Sequence, residues 1–275
     1  VARQVNRLGQ IELLDRPENL VRHPADAPSQ HQVHRRAIGG RQGGIGAQQH
    51  RQILTRLQRA DEQQEPVRQA AALPEVRHLA GRQRAELLAH AGFDWLVIET
   101  EHNGLDSAEI EHMLMAMNGT ETVPLVRVPS ANPVVSQRAL EMGAMGSVVP
   151  MVRTPAGAQA IVSATRFPPA GTRSFGPLRA SHYSFDNADY VLRANDNIIV
   201  ALILETREAV ANLEEIASVP GVDAIFLGPF DLCFPLGPDP MQQPYQEIEA
   251  ILEQLVAVGQ KTGIAAGMGV SNPAQ

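Results

Sequence analysis

Short apolar runs and stretches of helical spacing alternate along the chain from residue 84 onward. The runs are almost continuously apolar, as is typical of strands buried on both faces, and occupy residues 95–98, 123–128, 147–152, 198–204, 222–227 and 262–266. Around them, apolar residues recur every three or four positions, which predicts helices at 85–91, 107–117, 133–142, 155–165, 207–217 and 245–258. A long loop is predicted over 167–196.

Strict alternation of strand and helix indicates a parallel α/β sheet, and both a doubly wound sheet and a TIM (β/α)8 barrel satisfy it. Charged and glycine-rich residues favour the barrel, because they stand at the carboxyl ends of successive predicted strands, where TIM barrels carry their active sites. A complete barrel has eight units, whereas the pattern shows about six. We therefore expect an incomplete barrel in which the first strand and the last strand and helix are doubtful or missing.

Residues 1–83 differ from the rest of the chain. They are rich in Arg, Gln and His, contain no aromatic residue and show little sustained apolar period. Two interpretations are open: a solvated, disordered segment, or a segment read in a wrong frame or from a wrong start site. A glycine-rich stretch at 39–46 resembles a phosphate-binding loop, but no apolar strand leads into it. We predict that residues 1–83 have no chemical role and that 84–275 form the barrel domain.

The composition argues against several classes of protein. Hydrophobic residues make up 44% of the chain, enough for a large core, and the formal net charge of −7 argues against nucleic acids and membrane surfaces as partners. No apolar run approaches the roughly 18 residues of a membrane-spanning helix, and no signal-peptide pattern begins the sequence. The one cysteine, Cys233, cannot form an internal disulfide. We expect a cytoplasmic protein.

Two acidic residues stand at the ends of consecutive predicted strands. Glu205 follows the run at 198–204, and Asp231 follows the run at 222–227. Because adjacent parallel strands lie about 4.8 Å apart, the two carboxylates could bind one hard divalent cation and leave coordination positions open. Either residue alone could instead be an ordinary helix-start or turn residue. Their placement on neighbouring strand ends favours the metal site.

His102 and Arg127 are the other candidates at these strand ends. His102 follows the run at 95–98 and is a candidate general base, although a single loop histidine can also be merely solvated. Arg127 lies within an apolar run, where an unpaired charge is costly. Its partner could be a substrate oxygen that gains negative charge, or an internal carboxylate of Glu101 or Glu141.

At these residues the sequence resembles the HpcH/HpaI aldolase family, also called the citrate lyase β/aldolase superfamily. The matching segments follow one another with the family's spacing over about 85–270, and lie at 91–95, 101–102, 126–127, 149–152, 166–173, 205–207 and 228–232. The resemblance implies a TIM barrel and class II pyruvate aldolase chemistry. A 4-hydroxy-2-oxo acid would be cleaved to pyruvate and an aldehyde through a metal-bound enolate.

The resemblance also implies a role for each matched residue. Glu205 and Asp231 match the ligands of a divalent metal, Mg²⁺, Mn²⁺ or Co²⁺. Arg127 matches the arginine that stabilises the enolate oxygen, and His102 matches the histidine that moves the aldol hydroxyl proton. Glu141 matches an acidic partner of that histidine. The backbone segment that holds the pyruvate carboxylate is matched by Gly228, Pro229 and Phe230.

Lysine usage separates the two kinds of barrel aldolase. Lys261 is the only lysine of the chain and directly precedes the last predicted strand. It is therefore expected at the amino ends of the strands, opposite the active-site face. A lysine Schiff base is excluded on this basis, so an aldolase of this sequence must use a metal.

Two alternatives accompany the aldolase prediction. One is a CoA-thioester lyase of the same superfamily, which would need a basic groove for CoA; the other is an inactive, truncated fragment. The family's first strand and last strand with its helix have no match here, and Ile203 stands where some members have glutamine. We expect a small-molecule 2-oxo acid as substrate and, if the scaffold is intact, a homo-oligomer such as the family's hexamer.

Overall fold

The computed structural model describes residues 81–236 and 246–268. Six parallel strands form one sheet, with the bounds β1 Trp95–Glu99, β2 Val123–Arg127, β3 Gly146–Val149, β4 Ile199–Leu204, β5 Ala224–Leu227 and β6 Ala265–Met268. The helices are α1 Gly81–His90, α2 Ser107–Ala116, α3 Pro133–Glu141, α4 Pro155–Thr165, α5 Asn187–Asn197, α6 Arg207–Ala211, α7 Leu213–Ala217, α8 Pro229–Leu236 and α9 Gln246–Thr262.

The order of the strands confirms the barrel prediction over the doubly wound alternative. Each strand pairs with the next one along the chain, from β1 to β6, and every pair is parallel. A doubly wound sheet would reverse its strand order at a switch point, and this sheet does not. The described residues therefore form six successive strands of an incomplete (β/α)8 barrel.

Two apolar layers cover the two faces of the sheet. One face packs against the helices, where strand residues such as Val126, Leu202 and Ile225 join helix residues such as Leu114 and Ile161. The other face carries a smaller cluster contributed by the strands themselves, which contains Val123, Leu125, Val148, Ile199, Ala201, Ile203, Ala224 and Ala265. Strand β4 is buried along its whole length, as its continuous apolar run predicts.

Helix starts and ends follow local side-chain chemistry. Asp106 and Glu109 form a capping box at α2, and Thr154 accepts a hydrogen bond from the N–H of Gly157 at the start of α4. Gly143 follows α3 with φ of 100°, a left-handed conformation that glycine adopts without a steric cost.

Two predicted elements differ in the structure. Helix α5 occupies the end of the predicted loop 167–196, because Tyr190, Val191 and Ala194 pack a short apolar stripe that the surrounding Asn and Asp residues obscure in the sequence. The predicted helix 207–217 is two short helices that meet at Asn212. There the Asn212 side chain donates to the carbonyl of Arg153 at 2.9 Å, which ties the junction to a neighbouring loop.

Three further differences concern element ends and burial. Helix α8 begins just after β5, with Pro229 at its start, where the apolar pattern predicted no helix. Helix α9 runs on to Thr262, so β6 begins at Ala265, and Gly263 with φ of 83° separates them. Strand β1 is only partly buried, since it lies at an edge of the described sheet.

Several predictions fall outside the described residues. They concern the segment 1–80, where the doubtful first strand would lie, and the residues after 268. Within the described part of the chain, none of the helices is long and apolar enough to span a membrane.

Candidate active site at the carboxyl ends of the strands

Glu205 directly follows β4 and is buried, with 3% of its surface exposed. Its Oε1 accepts a hydrogen bond of 2.6 Å from the backbone N–H of Met151, in the loop after β3. Met151 has φ of 58°, an uncommon conformation for a residue other than glycine. This left-handed backbone accompanies the N–H contact that holds the Glu205 carboxylate in place.

Gly228 makes room for the Glu205 side chain. The register pairs Leu204 with Leu227, so Glu205 and Gly228 follow neighbouring strand ends, and the Gly228 N–H donates to the Leu204 carbonyl at 2.9 Å. A Cβ at position 228 would lie 2.9 Å from Glu205 Cβ and 3.0 Å from Ile203 Cγ2. Only glycine fits there without displacing its neighbours.

Asp231 lies in the first turn of α8, three residues after Gly228, and its side chain is exposed. Burial raises the pKa of Glu205 to about 6, although the N–H of Met151 opposes the rise. The negative charges of Asp231 and Glu101 also raise the pKa of Glu205, and Arg127 lowers it. The two predicted metal ligands are therefore close enough to repel each other electrostatically.

Arg127 ends β2 and contacts three carboxylates. Its Nη1 lies 3.1 Å from Glu99 Oε2, its Nη2 forms an ion pair with Glu101, and the same Nη2 lies 3.8 Å from Glu205 Oε2. The sequence suggested Glu101 or Glu141 as an internal partner of Arg127, and in the structure Glu101 forms that ion pair. Three carboxylates thus lie around one guanidinium, and the charge of Asp231 acts on two of them, so the site favours an additional cation.

His102 follows Glu101 in the turn after β1. Its Nε2 lies 3.5 Å from Glu101 Oε2, and 63% of the His102 side chain is exposed. Burial raises the pKa of Glu101, whereas Arg127 and His102 lower it. The imidazole is thus both accessible from outside and adjacent to a carboxylate.

Glu99 organises the turn that carries His102. Glu99 Oε1 accepts hydrogen bonds from the backbone N–H of Glu101 at 2.6 Å and of His102 at 3.3 Å. The Asn103 amide also donates to the Glu99 carbonyl. On the neighbouring strand, the Arg127 carbonyl accepts from the N–H of Thr100 at 3.1 Å.

Within this chain Glu141 and His102 lie at different ends of the strands, and the pairing of Glu141 with a histidine of the site stays a prediction. Glu141 ends α3, the helix that precedes β3, and therefore lies at the amino ends of the strands. His102 follows β1 and lies at the carboxyl ends. Glu141 Oε1 instead accepts from Gln137 Nε2 at 2.9 Å, and Glu101 is the carboxylate beside the histidine.

The residues at this site suit a divalent cation held by few protein ligands. Among the described residues no group of three or more His, Cys, Asp or Glu is placed to hold a metal. Glu205 and Asp231 would supply two carboxylates, which leaves coordination positions for substrate and water. The Arg127 Nε–H is buried and has no hydrogen-bond partner within residues 81–236 and 246–268. It is a donor available to a bound molecule.

Comparison with known proteins decides the family. A model of the HpcH/HpaI aldolase/citrate lyase family matches residues 78–274. The chain belongs to this family.

Relatives and solved structures of the HpcH/HpaI family agree with this assignment. A 2-dehydro-3,6-dideoxy-6-sulfogluconate aldolase from Pseudomonas putida is 40% identical over 208 residues, which are 73% of this chain and 80% of that protein. A 4-hydroxy-2-oxo-heptane-1,7-dioate aldolase from Escherichia coli is 37% identical over 195 residues, 70% of this chain and 74% of that protein. A crystal structure of an HpcH/HpaI family protein from Burkholderia cenocepacia has a TM-score of 0.65 and 35% identity, covering 70% of this chain and 77% of that chain.

Two residues of the site were missed by sequence reasoning. Glu99 is an acid at a strand end, as Glu205 is, and that signal was available in the sequence. Met151 acts through its backbone N–H, so its side chain gives no indication of the contact. The distant contact between the loop after β3 and the end of β4 becomes visible only in three dimensions.

Proposed function

We propose that this HpcH/HpaI family member is a metal-dependent aldolase that cleaves a 4-hydroxy-2-oxo acid into pyruvate and an aldehyde. The observation that carries the proposal is the buried Glu205 carboxylate, whose pKa is raised in part by Asp231 from the next strand end. Such a pair tolerates its mutual repulsion best when a cation lies between the two carboxylates. The named aldolases among the relatives support the same reaction class.

Glu205 and Asp231 would hold the cation, and their oxygen ligands suit Mg²⁺, Mn²⁺ or Co²⁺. When bound, the cation would supply Lewis-acid stabilisation of the negative charge that develops on the 2-oxo oxygen. The Met151 N–H holds Glu205 in one orientation for this role. Glycine at position 228 leaves the space that the Glu205 side chain occupies.

Two groups of donors would orient the substrate. The buried Arg127 Nε–H would donate to the 2-oxo oxygen as that oxygen becomes negative. The first-turn N–H groups of α8, at Phe230 and Asp231, have no carbonyl of a preceding helical turn to bond. They would bind the substrate carboxylate, which also favours the positive end of the helix dipole.

His102 would remove the proton from the 4-hydroxyl group. The C3–C4 bond then breaks, the aldehyde carbonyl forms at C4, and the electron pair moves to C3 and the 2-oxo oxygen. Return of this proton from the His102 imidazolium to C3, directly or through water, would complete pyruvate. Glu101, beside His102, would stabilise the imidazolium that forms.

The Asp231→Ala variant tests this proposal. We expect it to lose both Mn²⁺ binding, measured by calorimetry, and pyruvate release from 4-hydroxy-2-oxo acids, because a single carboxylate remains for the cation. Asp189→Ala is the matched control, since Asp189 is an exposed carboxylate on α5 that pairs with Arg193 and is not a residue of the proposed site. We expect the control to bind Mn²⁺ and turn over like the wild type.

Retained metal-dependent turnover in Asp231→Ala would contradict the ligand assignment. A folded wild-type protein that binds Mn²⁺ but releases no pyruvate from any 4-hydroxy-2-oxo acid would contradict the aldolase itself. Activity on a CoA thioester alone would favour the CoA-thioester lyase instead.

A further inference from the structure

Glu99 contacts two parts of the proposed active site and is not itself one of the proposed metal ligands. One carboxylate oxygen accepts from the backbone N–H groups of Glu101 and His102, at 2.6 Å and 3.3 Å. The other lies 3.1 Å from Arg127 Nη1. Glu99 thus bridges the turn after β1 and the guanidinium at the end of β2.

The sheet register makes this bridge specific. Glu99 and Arg127 are paired positions on β1 and β2, so their side chains leave the sheet on the same face. Residues 100–103 then leave the strand as a turn that contains His102. The other anchors of this turn are the Thr100 N–H on the Arg127 carbonyl and the Asn103 amide on the Glu99 carbonyl. The His102 imidazole is 63% exposed and its one described ion pair is with the neighbouring Glu101.

We infer that Glu99 is a positioning residue for the proposed aldolase reaction, which fixes the turn 100–103 so that His102 faces the substrate hydroxyl. The inference rests on the function proposed above for His102. Glu99 does not serve as a buried core residue, since 37% of its side chain is exposed. An exposed side chain that receives two backbone N–H groups and one guanidinium acts by orienting those groups rather than by filling the core.

Double-mutant kinetics separate this role from a general structural one. We expect Glu99→Ala to lower kcat about 10-fold to 100-fold, because a displaced catalytic group loses its near-attack geometry. In a His102→Asn background, the same substitution should lower kcat clearly less than in the wild type, because no base remains to be positioned and only the contact with Arg127 is lost. An equal loss in both backgrounds would overturn the inference.

Hydrogen exchange tests the turn without any assay of turnover. In Glu99→Ala we expect the amides of Glu101 and His102 to exchange faster than in the wild type, because both lose their acceptor. Glu99→Gln keeps an oxygen that can accept from them, so we expect intermediate exchange and intermediate kcat. Unchanged exchange in Glu99→Ala would also overturn the inference.

Glu215→Ala is the control, since Glu215 is an exposed acid on α7, away from this turn. We expect it to match the wild type in kcat and in exchange. If the wild type releases no pyruvate, the proposed function fails, whereas the exchange measurement still decides whether Glu99 holds the turn. The two failures are therefore distinguishable.

Discussion

Glu205 lies against the backbone N–H of Met151, and its burial raises its pKa from 4.5 to about 6. The metal-free folded protein therefore binds this proton more tightly than the unfolded chain does. The contribution of the group to stability is complete below pH 4.5 and is lost as the pH rises through about 6. A rise of that size costs about 2 kcal/mol at pH 8, and a bound cation would offset it.

The Glu205→Gln variant isolates this effect. Glutamine keeps the acceptor for the Met151 N–H and removes the buried charge. In urea denaturation without metal, we subtract the unfolding free energy of the wild type from that of the variant. We expect this difference to be about 2 kcal/mol larger at pH 8 than at pH 4, because the wild type alone loses stability as the pH rises. A difference between the two proteins that does not vary with pH would contradict the raised pKa.

The sequence identified as candidates those residues whose position on a strand already constrains them. Glu205 and Arg127 end apolar runs, and a charge at such a place needs a partner, so both stood out. The carboxylate beside His102 in the structure is that of Glu101, and the position of Glu101 after the strand did not predict this contact. Glu141 is close to the predicted strand ends only along the sequence, and the direction of α3 places it at the opposite edge of the sheet.

At the scale of elements, β4 and β5 position the proposed metal ligands through a close approach at Gly228. Gly228→Ala would place a Cβ 2.9 Å from Glu205 Cβ and 3.1 Å from Glu205 Oε2. We expect this overpacking to destabilise the fold by about 1–3 kcal/mol. We also expect it to weaken Mn²⁺ binding at least about tenfold, measured by calorimetry, because Glu205 must move.

Gly157→Ala is the matched control for that substitution. A Cβ there would lie 3.4 Å from Thr154 Oγ1, an ordinary contact, and Gly157 lies in the first turn of α4. We expect its Mn²⁺ affinity to equal that of the wild type. Equal affinities in both alanine variants would show that Gly228 does not control the placement of Glu205.

Element types followed from periodicity wherever the apolar stripe was long, as in α4, which runs from Pro155 to Thr165 as predicted. Periodicity failed where the stripe was short, as in α5, or where a polar side chain bonds a distant loop, as Asn212 does. It also gave no indication of α8, because its first turn reads as a Gly-Pro turn.

At the scale of the whole molecule, several large apolar side chains between residues 175 and 192 are exposed. Phe175, Leu178, Phe185 and Leu192 are exposed, Phe185 by 90% and Leu192 by 79%. Exposed apolar groups of this size favour association. We expect light scattering after size exclusion to give a multiple of the monomer mass, and the double variant Phe185→Ser with Leu192→Ser to lower it.

The control for this prediction is Val134→Ser, since Val134 is 66% exposed but lies at the start of α3. Its mass should equal that of the wild type. A wild-type protein that elutes as a monomer would contradict the predicted homo-oligomer.

The predicted division of the chain can be tested by truncation. Since every residue assigned to the proposed site lies between 99 and 231, we expect deletion of residues 1–80 to leave metal-dependent pyruvate release unchanged. The control is the full chain under the same conditions. A folded truncation with intact Mn²⁺ binding and no turnover would contradict the prediction that this segment has no chemical role.

The sequence by itself determined the alternation of strands and helices, and with it the six-stranded parallel sheet, because buried strands and amphipathic helices have different apolar periods. It also determined which acids end neighbouring strands. The tertiary structure decided what those side chains contact. The contacts of Glu99 with Arg127, of the Met151 N–H with Glu205 and of Glu101 with His102 depend on strand register and loop conformation. Neither of these leaves a local pattern in the chain.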